Sequence, residues 1–96
     1  MPDYTDEKVG DCIVYFTSKC IIEAFHAHAD PKRRRATAAK FFIRKDGSVV
    51  LQHKGNLTEV QLNKVKKFIK DNHERMYKKW AEYCKINGMD PKYYDK

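Results

Sequence analysis

Three histidines and a cluster of cations are the side chains in this sequence best suited to chemistry. His26 and His28 flank Ala27, and His53 follows a short apolar run. Alternate residues of an extended strand share a face, so a strand through the His-x-His pair sets both imidazoles side by side with Ala27 turned away. His26, His28 and His53, if the sheet brings them together, could supply a general base and a general acid near neutral pH, with Lys40 and Arg44 neutralising a phosphorane. The three could instead hold zinc with a position open for water. No HExxH, no carboxylate at ligand spacing and no nucleophile motif accompanies them. Hydrogen-bonded structural histidines are the plainer reading, and the expected cofactor is none.

The second chemistry is electrostatic. Lys32, Arg33, Arg34, Arg35, Lys40, Arg44 and Lys45 place seven cations in one acid-free span, whereas residues 1–11 hold four acids and one lysine. With Phe42 on the same strand as Lys40, cations for phosphates and a ring for stacking could share a surface, which is the combination that binds RNA or DNA. An acidic protein partner would suit the same surface. These residues fit a binding module better than an enzyme; if the chain is an enzyme, a small metal-free ribonuclease using histidine acid/base chemistry is the form expected.

Composition limits what can position these groups. Ninety-six residues, 42% hydrophobic, with a formal charge of +7, make one small domain. A mean hydropathy of −0.80 and the lack of any apolar run near the roughly 20 residues of a membrane-spanning helix argue for a soluble, cytoplasmic chain without a membrane partner. Cys12, Cys20 and Cys84 have no CxxC spacing and read as small buried apolar residues.

In chain order, residues 1–11 read as a flexible acidic arm and residues 12–86 as the domain, with residues 87–96 as a tail. CIVYF at 12–16 predicts a buried strand, and residues 21–29 a second strand with His26 and His28 on one face and Phe25 and Ala27 on the other. Asp30-Pro31 ends it. Residues 36–44 and 48–53 predict a hairpin on a two-residue type I′ turn at Asp46-Gly47. That register pairs Ile43 with Val50, Phe42 with Leu51, Phe41 with Gln52 and Lys40 with His53. If residues 36–44 are the middle strand, His26, His28 and His53 become neighbours at one sheet edge. From Leu57 the apolar period becomes helical. Thr58 and Gln61 fit a capping box, Leu57 and Leu62 its hydrophobic staple, and Leu62, Val65, Ile69, Met76 and Trp80 the buried stripe. Asp71-Asn72-His73 predicts a stop and a new N-cap, hence two helices, with one continuous helix as the rival; Asn87-Gly88 closes the segment. The expected fold is α+β, an antiparallel sheet of three or four strands under two C-terminal helices.

The order of features also resembles a known family. His26-Ala27-His28 at a strand end, Ala39-Lys40-Phe41-Phe42-Ile43, and then Asn72, Trp80 and Tyr83 at helical spacing are similar to the DUF4160 family of small prokaryotic proteins, over roughly residues 12–84. The family usually has prolines just before the His-x-His pair, where this chain has Glu23-Ala24-Phe25, and its following loop is shorter and less basic. The resemblance implies a bacterial or phage origin and a part in a toxin–antitoxin-like pair. It brings no activity with it.

Overall fold

The computed structural model describes residues 3–17, 21–31 and 38–95. Four strands, β1 (Ile13–Tyr15), β2 (His26–Asp30), β3 (Ala39–Ile43) and β4 (Val49–His53), form one antiparallel sheet in the order β1-β2-β3-β4, followed by a single helix α1 (Glu59–Ile86). The fold is α+β with one C-terminal helix, not two. The reason lies at Asn72 and His73. Asn72 Nδ2 donates to the Phe68 carbonyl and the His73 ring bonds the Lys70 carbonyl, so both side chains attach to the preceding turn instead of capping a new helix. No glycine or proline interrupts the stretch, and one apolar stripe runs through it.

Both helix ends follow the residues expected of them. The Thr58 hydroxyl accepts from the Gln61 N–H, and the Gln61 side chain accepts from the Thr58 N–H. At the far end Gly88 takes a φ of 74°, and the N–H groups of Gly88 and Met89 bond the carbonyls of Lys85 and Cys84 in a Schellman closure.

The core lies between α1 and one face of the sheet. Alternation sends Val14, Ala27, Ala29, Ala39, Phe41 and Ile43 to that face, where they meet Leu62, Val65, Ile69, Met76, Trp80, Ala81 and Cys84. Trp80 shares this core with three alanines of the sheet and packs against Phe25 and Tyr77. Cys12 and Cys84 are buried, as expected of small apolar residues; Cys20 lies outside the described residues.

The hairpin departs from its expected register. Arg44 and Ser48 close a three-residue loop, Lys45-Asp46-Gly47, in which Asp46 accepts from the Ser48 N–H and hydroxyl and Gly47 alone is left-handed, at φ 86°. Pairing therefore shifts by one residue, to Ile43 with Val49, Phe42 with Val50 and Phe41 with Leu51. Val49, not Val50, packs against the core. A bulge that leaves Gln52 over restores the pairing of Lys40 with His53. A two-residue turn with both centres left-handed does occur, at Gly10-Asp11, where Val9 and Cys12 exchange backbone bonds.

Two segments outside the predicted domain contribute to it. Tyr4, in the stretch expected as a loose acidic arm, is buried, takes its N–H to the Val14 carbonyl and its hydroxyl to the His26 carbonyl. In the C-terminal stretch the Lys92 carbonyl accepts from Phe25 N–H, and Tyr94 N–H donates to the Ile43 carbonyl. Phe25 is thus bonded to the tail, and β2 begins only at His26; Ile21 and Ile22 form a helical turn rather than the start of the expected strand.

Candidate functional site

The face of the sheet turned away from α1 carries the chemistry-bearing residues. Period-two alternation puts His26 and His28 of β2 beside Lys40 and Phe42 of β3, with Tyr15 of β1 next to His28. The two imidazole rings meet edge to face with centroids 5.2 Å apart, as the His-x-His spacing requires. His26 also meets the edge of Phe42 at 5.5 Å, and His28 lies 5.6 Å from the Tyr15 ring.

His53 does not join them. Across the sheet His28 pairs with Lys40 and Lys40 with His53, so the middle strand separates the two imidazoles. Two strand spacings are about 10 Å. His53 is exposed at the sheet edge, its Nδ1 accepting from the Gly55 N–H. Among the described residues no group of three or more His, Cys, Asp or Glu is placed to hold a metal ion, and the proposed His26, His28 and His53 ligand set is not assembled.

The environment of the pair decides its protonation. His26 is 1% exposed, and its Nδ1–H donates to the Ala24 carbonyl at 2.8 Å. Burial lowers its pKa and Lys40 adds to the effect, against the Ala24 bond and Glu23. Burial also lowers His28, to about 4, helped by His26 and Lys40 and opposed by the Ala39 backbone and Glu23. Both rings are therefore neutral at pH 7. Burial thus works in both rings against the protonated imidazole that a ribonuclease would use as its acid.

The cations divide into three groups. Lys40 reaches both Glu23 carboxylate oxygens, at 2.9 and 3.1 Å, and lies 4.8 Å above the Phe42 ring. Phe42 is buried by Tyr94, which stacks on it at 4.4 Å, so its ring is not open to a base. Arg44 is half-buried and donates to the Ser48 hydroxyl, while Lys45 is exposed on the hairpin loop. Lys32, Arg33, Arg34 and Arg35 lie outside the described residues. Of the 20 lysines and arginines, Lys19, Lys32, Arg33, Arg34, Arg35 and Lys96 lie outside the described residues, which leaves 14 cations against all 13 acids. The described part of the chain is nearly neutral, and most of the excess charge belongs to one run between β2 and β3.

Glu23 and Tyr94 were missed by sequence reasoning. Glu23 follows a helical turn, so strand alternation misassigns it; the paired tyrosines at 93 and 94 after Pro91 were the available signal for a docked tail.

Neither the curated proteins nor the solved structures contain a match to the chain. No helix among the described residues is long and apolar enough to cross a membrane. The pattern of a domain of unknown function, DUF4160, matches residues 12–81, well over half of the sequence, and spans the His-x-His strand, the hairpin and most of α1, so the chain belongs to the DUF4160 family.

Proposed function

We propose that this protein is a nucleic-acid-binding module whose main anchor is the run Lys32, Arg33, Arg34 and Arg35, and that His26 and His28 are structural. The observation that carries this reading is the distribution of charge: a near-neutral described body, and four consecutive cations on the connection between its two central strands. Cations in a row bind phosphates without selecting sequence, and rigid central strands hold both ends of the connection. Lys45 extends the cationic set; Lys40 and Arg44 serve internal contacts first.

The test is binding of mixed-sequence RNA and DNA oligonucleotides at low salt. The triple substitution Arg33→Ala, Arg34→Ala, Arg35→Ala should abolish measurable binding, whereas His28→Gln should leave it unchanged, and no RNA should be cleaved. Equal binding by the triple variant, or none by the wild type, overturns the reading. Purification from the native host distinguishes a second use of the same cations: an acidic protein recovered in place of nucleic acid would make the chain one member of a toxin–antitoxin-like pair.

A further inference from the structure

A cleft of about 290 Å³ opens at the end of the sheet where β2 begins. Glu23, Phe42, Lys92, Tyr94 and Asp95 line it, and Ile22, 72% exposed, joins them. Its size is at the bottom of the roughly 300–1,000 Å³ range of small-molecule sites, which suits one flat ring system.

Two features of the lining are fixed in advance. The Phe42 and Tyr94 rings stack within 19° of parallel, and the backbone on either side of Tyr93 is tied to the sheet by the Lys92 carbonyl and the Tyr94 N–H. The Glu23 carboxylate is held by Lys40, and that hydrogen bond keeps it ionised. An aromatic platform beside an ionised carboxylate matches a base that offers two adjacent N–H donors. Guanine does so through N1–H and the N2 amino group, whereas adenine and cytosine each place an acceptor nitrogen beside their donor.

We propose that this cleft is a base-binding subsite that takes a single guanine, stacked on Tyr94 with its N1–H and N2–H donated to Glu23. The proposal rests on the nucleic-acid reading and adds base selectivity to it. β2 runs four residue steps, about 13 Å, from the cleft end of the sheet to Asp30, and the cationic run follows Asp30-Pro31 in the sequence. A short strand extending from the cleft along β2 would lie over His28 and Lys40.

Oligonucleotides with one guanine in a uridine background, compared with uridine alone, read the preference directly; the guanine-containing strand should bind about tenfold tighter. Tyr94→Leu should remove that advantage and leave the uridine strand unaffected, and Glu23→Gln should erase discrimination between guanine and adenine. Equal affinity for the two strands, or a preference that survives Tyr94→Leu, overturns the proposal while leaving the charge-based reading intact. If no oligonucleotide binds, the charge-based reading fails, and a titration with guanosine monophosphate monitored at the Phe42 and Tyr94 ring protons decides the cleft separately: shifts confined to these rings support it, and their absence overturns it.

Discussion

The two faces of the sheet are made from alternate residues of the same strands, yet they are closed by different physics. Ala27, Ala29, Phe41 and Ile43 meet the apolar stripe of α1. One residue away, His26 and His28 meet Phe42 and Tyr15, and Tyr94 from the C-terminal segment covers Phe42. His26 is as buried as the core residues on the other side. An imidazole taken out of water has to be neutral and hydrogen-bonded, which the Ala24 carbonyl provides. The contrast teaches that histidines can serve the closure of a sheet face, as His26 does here; a small aromatic cleft lies at the end of that face where β2 begins.

The sharpest way to break the comparison is at Trp80, a fully buried α1 side chain of the core. Trp80→Ala should cost about 3–5 kcal/mol in urea unfolding, while Tyr94→Leu, on the other face, should cost clearly less. If the two were equal, the helix would not be the dominant cover. Next in size is Gly47→Ala, where the chain needs φ 86° and a new Cβ would come 2.6 Å from His73 Nδ1. A loss of about 2–4 kcal/mol is expected, and adding His73→Ala should restore the steric part only. Full recovery would mean that the left-handed backbone contributes nothing.

The histidine face makes a pH prediction of opposite character. In the unfolded chain His28 titrates near 6.5, and in the fold near 4, so between these values the unfolded state binds the extra proton. Stability is complete above about pH 6.5, falls as the pH drops, and has lost roughly 2–3 kcal/mol from His28 by pH 4. His28→Gln should reduce proton uptake on unfolding at pH 5 by about one; an unchanged uptake would place the charge sensitivity elsewhere. Smaller again is Thr58→Ala, expected to cost about 1 kcal/mol in thermal or urea unfolding through the capping box. Glu23→Gln, at a part-exposed ion pair, should cost less than about 1 kcal/mol.

Local rules were legible wherever the deciding atoms lie within a few residues. The capping box, the Asn87-Gly88 stop, the apolar stripe and the His-x-His alternation all follow from spacing. The hairpin was misread by one residue because Asp46-Gly47 serves both a two-residue type I′ turn and a three-residue loop, and the Asp46 bonds to Ser48 select the latter. The break at residues 71–73 failed to form because capping residues cap only when the tertiary stripe ends, and Met76 and Trp80 continue it. The adjacency of His26 and His28 was readable; the separation of His53 depended on Lys40 standing between them, and the cover over Phe42 comes from Tyr94, more than fifty residues away. Contacts of that range leave no periodic trace.

The salt dependence of oligonucleotide affinity tests the central claim most directly. For single strands the slope of log affinity against log salt is about −0.7 per neutralised phosphate, so four cations acting together should give a slope near −3 that collapses towards zero when Lys32, Arg33, Arg34 and Arg35 are all replaced by alanine. A slope that stays the same in that variant would place the anchor on other residues and contradict the account.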